Sequence, residues 1–246
     1  MSVFRVVGPG RAGRSLAVAL SAAGWESAGL LGRDDDPVAA ASGVDLLVLA
    51  TPDAAIAEVA ARVRPVSTTV VVHLSGATGL DVLENHVLRA SLHPLVSLPD
   101  AEVGAKRLVG AWFAVSGEPA AMGLVQRLVD DLGGRSFPVA DGDRATYHAA
   151  AAVASNHLVA LMGQVARLAD VVGVPLEAYL DLAAGSLDNV REVGPTAALT
   201  GPAARGDEQT VAAHLAALPA DERSTYRAMA AEARRLAGRP EPGAAT

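Results

Sequence analysis

Cysteine is absent from the 246-residue sequence. A disulfide scaffold, a Cys-ligated zinc or iron–sulfur site and a thiol nucleophile are therefore excluded. Aromatic residues make up only 3%, while 52 residues are Ala, so the core must be built from Ala, Val and Leu, with closely packed helices. Lysine is nearly missing too: of 20 basic residues only Lys106 is Lys and 19 are Arg, the usage of a GC-rich genome. The six His residues show no HExxH or comparable ligand spacing, so no metal site is expected, and there is no GxSxG nucleophile elbow. Net charge is −7, with 11 basic against 15 acidic residues up to residue 141 and 9 against 12 after it. Neither half offers a basic face to nucleic acid. No apolar run approaches a membrane span, and no basic segment leads into an apolar leader. The expectation is a soluble, cytoplasmic protein.

What is present begins with alternation. Residues 3–7 read as a buried strand, 14–23 as a helix stopped by Gly24, 27–31 as a second strand and 37–42 as helix-like. Val44–Ala50 is a nearly all-apolar third strand, and Thr51-Pro52-Asp53 opens a helix to about Val63. Further strands are expected at 69–74, 90–92, 112–115 and 137–139, with a helix over 119–132. Such alternation implies a parallel sheet wound on both sides. From residue 142 on, no strand is expected. Residues 143–172 read as one helix roughly 45 Å long, apolar on most faces and hence buried all round. Helices follow at about 175–184, 186–193, 207–217 and 221–237, before a frayed tail at 238–246. The expected organisation is a dinucleotide-binding α/β domain, 1–141, and an all-helical domain, 142–246.

Gly8-Pro9-Gly10-Arg11-Ala12-Gly13 fits GxGxxG directly between the first strand and the first helix. In that context the three glycines serve a tight turn, close approach of a pyrophosphate and helix–strand packing. The helix N-terminus then meets the phosphates with free N–H groups. A dinucleotide lacking the 2′-phosphate is usually held by an acid after the second strand, but Gly32-Arg33 stands there. Arg33, helped by Arg11, suits the 2′-phosphate of NADP. Asp34-Asp35-Asp36 would be the acid for NAD if the strand ended later. Thr51-Pro52 and Ser75-Gly76 end strands at the same carboxyl edge, where open sheets bind ligands.

The start of the long helix is unusually polar. On a straight helix Arg144 and His148 share a face, and Ser155 returns to within ~20° of His148, with Asn156 beside it. Such a stripe on an apolar helix calls for polar partners or a ligand. Gly201–Asp207 joins two helices, with Asp207 placed to cap the second.

This arrangement resembles the 6-phosphogluconate dehydrogenase-like superfamily, which includes β-hydroxyacid dehydrogenases, ketopantoate reductases, pyrroline-5-carboxylate reductases and prephenate dehydrogenases. It is most similar to the Rossmann-like DUF2520 family. The motifs that carry the resemblance are Thr51-Pro52-Asp53, His73-x-Ser75-Gly76, Leu92-His93-Pro94-Leu95, Tyr147-His148-x-Ala150-Ala151 with Ser155-Asn156, and Thr200-Gly201-Pro202-x-x-Arg205-Gly206-Asp207 with His214-Leu215. Two of the superfamily's enzyme groups place a Lys and an Asn four residues apart on this helix. Arg144 and His148 stand there instead. Arg stays charged and is a poor proton relay, whereas His titrates near neutrality. The resemblance thus implies His148 as general acid, Arg144 as electrostatic clamp, and Ser155 and Asn156 beside them. His93-Pro94 is similar to a His-Pro pair in prephenate dehydrogenases and reads equally as a site or a rigid turn.

The implied activity is NADP-dependent reduction of a small anionic carbonyl acid, 2-ketopantoate being the favoured candidate. The alternatives are reduction of a cyclic imine of the pyrroline-5-carboxylate type and a non-catalytic NADP-binding sensor, with a deazaflavin as another cofactor of related folds. A long apolar helix in a small domain also implies a homodimer through the C-terminal helices.

Overall fold

The computed structural model describes residues 1–239. They fall into two compact units, 1–155 and 156 onward.

Unit one is built on a seven-stranded sheet in the order β2-β1-β3-β4-β5-β6-β7. The strands are β1 (Val3–Val7), β2 (Glu26–Leu31), β3 (Leu46–Leu49), β4 (Val70–His73), β5 (Arg89–Pro94), β6 (Trp112–Gly117) and β7 (Arg135–Pro138). The helices are α1 (Arg11–Ala22), α2 (Ile56–Arg62), α3 (Ala101–Leu108), α4 (Pro119–Asp131) and α5 (Arg144–Ala152). β3 and β4 are buried along their whole length, as strands covered on both faces must be. One apolar cluster joins α1, α3 and α4 to the sheet; a second packs α2 and Ala40–Ala41 on the other face.

Three expectations for this unit need correction. The sheet is not wholly parallel, because β6 runs antiparallel to β5, with Pro94 opposite Phe113. The connection 95–111 therefore leaves and returns at one edge, and it contains α3, a helix the sequence reading did not find. Its N-cap is Asp100, whose carboxylate accepts from the Glu102 and Val103 N–H groups. Residues 37–42 form turns, not a helix. The half-buried strand residue Arg5 explains this: its guanidinium donates to the carbonyls of Ala39, Ala40 and Ser42, which a helix would need for itself. The expected boundary at 141 also moves, since α5 belongs with the sheet unit.

The expected single helix 143–172 is interrupted. Residues Val153–His157 form a π-helical segment between α5 and α6 (Leu158–Val172). By length and composition, the helical run Asp141–Val172 is apolar enough to cross a membrane, although no residue-by-residue apolar stretch revealed it.

Unit two continues with α7 (Leu176–Ala198), α8 (Pro202–Arg205), α9 (Glu208–Ala217) and α10 (Arg223–Leu236). The two helices expected at 175–184 and 186–193 are one, broken only at Gly194 (φ +78) before Pro195. The unit's core is small: Ala203, Val211 and Ala230, with Leu215, Tyr226 and Ala233 around them. Below it, Glu222 receives the Arg167 guanidinium, and its carbonyl accepts from Gln164. The long helix is not buried all round. On it Val159 is 71% exposed, with Val171 and Val172 also open, and on α7 Leu182 (67%) and Val193 are open too, because nothing among the described residues covers them. The frayed tail expected from 238 lies, beyond Arg239, outside the described residues.

Candidate active site

The loop after β1 is shaped by backbone constraints. Gly8 has φ +96, and a Cβ there would sit 2.7 Å from the Ala50 carbonyl group. A Cβ at Gly13 would collide with the Gly8 carbonyl, so only glycine lets α1 start this close to β1. Gly10, by contrast, faces open space and caps α1 with no side-chain hydrogen bond. The first-turn N–H groups of α1 thus point outward, a ready anion site.

A cleft of about 490 Å³ opens in front of this loop. Gly8, Pro9 and Gly10 line it, with Gly32, Arg33 and Asp35 on one side and Thr51, Pro52 and Arg62 on the other. Arg33 is exposed and makes no hydrogen bond or ion pair among the described residues. Asp35 instead accepts from the Gly32 N–H at 2.7 Å, which turns the acidic run into a cap on the β2 loop. Arg62, not anticipated from sequence, brings a second guanidinium and pairs at 3.9 Å with Asp36. Thr51 Oγ1 is buried without any partner. An N-terminal cradle without a side-chain cap, two guanidinium groups and an orphaned hydroxyl suit a phosphorylated dinucleotide, so the residues present fit NADP. Arg11 is exposed at the start of α1 but does not line the cleft, and Ala12 leans on the core.

The sheet register carries this row onward. Val7, Leu49, His73 and Ser91 are aligned across β1, β3, β4 and β5. Beyond this row, Thr51 and Ser75 follow the ends of β3 and β4 and His93 lies near the end of β5, so all three stand at the carboxyl edge of the sheet.

His73 and Ser75 shape the turn. His73 Nδ1 accepts from the Ser75 N–H at 3.2 Å, and its Nε2 faces the Gly79 carbonyl at 3.2 Å. Both ring nitrogens are thus used by backbone. Burial, then the charge of Arg144, pushes its pKa down to about 4. Ser75 Oγ donates to Thr78 Oγ1 and accepts from the Ala77 and Thr78 N–H groups. The hydroxyl expected to reach the cofactor is taken up by its own turn.

Gly76 then leaves its Cα bare beneath two rings. A Cβ there would lie 2.8 Å from His148 Cδ2 and 2.9 Å from His93 Cε1. His93 Nδ1 and Tyr147 Oη are 2.6 Å apart, and the His93 ring meets those of Tyr147 and His148 edge-on. Phe137 on β7 supports Tyr147 from behind. Desolvation and the neighbouring His148 hold the pKa of His93 down at about 4, and burial pushes the Tyr147 phenol up. Asp53, directly after the cleft residues Thr51-Pro52, acts electrostatically on both His73 and His93. Tyr147 was visible in the sequence only as part of a motif, and its pairing with His93 has no sequence signal.

Arg144 is 1% exposed. Its Nε donates to Asp141 at 2.8 Å and its Nη2 to Ser116 at 2.5 Å, while Nη1 has no partner. Asp141 also accepts from the Leu80 N–H at 3.0 Å; these bonds overcome its partial desolvation and lower its pKa. Arg144 therefore ties α5 to β6 and to the 79–80 turn, and its charge is felt by Tyr147 and both buried histidines. It is not the open clamp the sequence suggested.

Ser155 and Asn156 both lie in the π segment. Each π turn holds an extra residue, so the straight-helix projection that stacked Ser155 over His148 does not apply. Ser155 Oγ donates to the Ala151 carbonyl. In the second unit, Asp207 caps α9 by accepting from the Thr210 N–H, and a separate cavity of about 200 Å³ is lined by Thr200–Ala203, Tyr226, Met229 and Ala230. His214 Nδ1 and Tyr226 Oη are 2.6 Å apart there.

The family described as "Domain of unknown function (DUF2520)" matches residues 111–233, half the chain. The chain belongs to the DUF2520 family. Its two-unit fold recurs in solved structures. A Bacteroides fragilis protein described as a candidate NADP oxidoreductase has a TM-score of 0.79 at 21% identity, over 97% of this chain and 98% of that one. Pyrroline carboxylate reductase from Plasmodium falciparum, solved with NADP bound, has a TM-score of 0.63 at 12% identity, over 96% and 98%. An imine reductase from a Pseudomonas species has a TM-score of 0.61 at 18% identity, over 97% and 88%. The DUF2520 chain thus shares with these a Rossmann-like sheet domain followed by a helical region. No curated protein matches it.

Proposed function

We propose that this DUF2520 chain is an NADP(H)-dependent reductase of a small, anionic C=O or C=N compound. The observation that carries the reading is the row at the carboxyl edge of the sheet. An uncapped phosphate cradle with Arg33 and Arg62 stands at one end, and a cluster of titratable rings over Gly76 at the other. Gly8, Gly10 and the first turn of α1 would hold the pyrophosphate, Arg33 and Arg62 the 2′-phosphate, and Thr51 Oγ1 the adjoining ribose side. The dinucleotide, when bound, supplies the hydride. The ring cluster, for which the sequence nominated His148, supplies the proton. Asp53 and Arg144 set the field in which that proton moves.

A carbonyl acid such as 2-ketopantoate is the substrate inferred from the motifs. The similar structures include proteins named for imine and pyrroline carboxylate reduction, which supports the C=N alternative. NADPH consumption measured with 2-ketopantoate and with pyrroline-5-carboxylate separates the two. Quenching of NADPH fluorescence without turnover on any keto acid or imine would instead make the chain an NADP sensor.

The apolar face of α6 and α7 supports a homodimer through the helical unit. Val159, Leu182 and Val193 stand open on it. A cytoplasmic setting accords with such a reductase.

A further inference from the structure

Within the ring cluster, we infer that Tyr147 is the proton donor and that His93 is the relay which recharges it. The inference rests on the reductase reading and names the residues that complete it. Three observations select this pair over His148. Tyr147 is held by the 2.6 Å contact with His93 and by edge-on packing against His93 and Phe137, whereas His148 makes no hydrogen bond among the described residues. A donor fixed before substrate arrives needs no reorganisation in the reaction. Burial raises the pKa of the Tyr147 phenol, and the charge of Arg144, held in place by Asp141 and Ser116, works against that rise and toward the phenolate that proton donation leaves behind. His93 Nδ1 faces the phenol, while its Nε2 makes no hydrogen bond among the described residues. His73 differs in this respect, because backbone groups occupy both of its nitrogens and fix its proton.

The protons balance as follows. The substrate carbon gains a hydride from the reduced dinucleotide, and its oxygen or nitrogen takes the Tyr147 phenol proton. His93 Nδ1–H passes to the phenolate oxygen, and Nε2 takes a proton from solvent, so His93 stays neutral and changes tautomer; before the next turnover the ring exchanges with solvent, losing the Nε2 proton and regaining one on Nδ1. A ring whose pKa is held near 4 suits such a shuttle, since it is not cationic at neutral pH. The charged and titratable groups around the pair are Asp53, His73, Arg144 and His148.

Nitrogen-15 NMR of the ligand-free protein at pH 7 reads the starting state. His93 should carry its proton on Nδ1, and Tyr147→Phe should release it to Nε2. An Nε2–H tautomer in the parent, with Nδ1 accepting from the phenol, would direct the only donor proton at His93 and overturn the relay. This arm needs neither cofactor nor substrate, so it stands apart from the reductase reading. On a keto acid or imine that the parent reduces, Tyr147→Phe should lower turnover at least about 100-fold, with NADPH affinity within about twofold. His93→Asn should lower it about 10-fold and change the pH profile. Turnover of Tyr147→Phe within about threefold of the parent defeats the assignment. A parent that binds NADPH and reduces nothing defeats the reductase reading instead.

Discussion

Every residue of β3 and β4 is buried, whereas no residue of α7 is. In the sheet unit the chain supplies its own cover, with helices on both faces of the strands. In the helical unit the chain gathers a core of a few small side chains and leaves Val159, Leu182 and Val193 in solvent. The difference separates two meanings of an apolar sequence. In the first unit it marks an interior; in the second it marks a surface left open among the described residues.

Substitutions can break or sharpen that contrast. The largest effect is expected at Asp141. Asp141→Ala leaves the buried Arg144 guanidinium with Ser116 alone, at a cost of about 3 kcal/mol or more in urea unfolding. Arg144→Met should cost clearly less, because Asp141 is half exposed and can return to water. Equal losses would mean that the pair is not the asymmetric tie described here.

Acid comes next. His73 has a folded pKa of about 4 against 6.5 unfolded, so the unfolded chain binds more protons between those values. Its contribution is complete above about pH 6.5 and is lost as pH falls toward 4, by about 3 kcal/mol. His93, partly solvated, adds a smaller amount in the same direction. Urea midpoints at pH 7 and 4.5 should show the fall, and His73→Gln should flatten it. A midpoint equal at both pH values contradicts the buried neutral ring.

Gly8→Ala follows. A methyl group 2.7 Å from Ala50, at a positive φ, displaces the loop and should weaken NADPH binding about 100-fold by fluorescence titration. The helical unit should keep its circular dichroism. The smallest effect on the fold itself is expected at Leu182→Asp. Exposed as it is, it should change the stability of a monomer by less than about 0.5 kcal/mol. In sedimentation it should nonetheless shift a dimer toward monomer, and a parent chain that is monomeric at micromolar concentration removes the dimer from the account.

The sheet unit was legible in the sequence because its signals are local. The nearly all-apolar strand Val44–Ala50 and the glycines of the first loop state their burial and conformation directly. The missed elements depend on distant partners. Residues 37–42 carry a helical pattern, yet Arg5, more than thirty residues away, takes their carbonyls. The reversal of β6 and the π segment leave no periodic trace. The site was half visible. His148, Arg144 and the glycine loop stand in motifs, but Arg62 reaches the cleft from α2, and Tyr147 meets His93 across 54 residues.

The junction of α1 and α3 shows where a compositional drift must stop. Ser15 Oγ on α1 donates to the carbonyl of Asp100, the α3 cap, and Gly104 packs directly on the same Ser15. A Cβ at Gly104 would overlap that hydroxyl. A genome that writes Ala at more than one position in five can place it nearly anywhere on these helices, but not at 104. There the smallest step in side-chain size would pry the phosphate-facing helix from the one that follows the His93 strand.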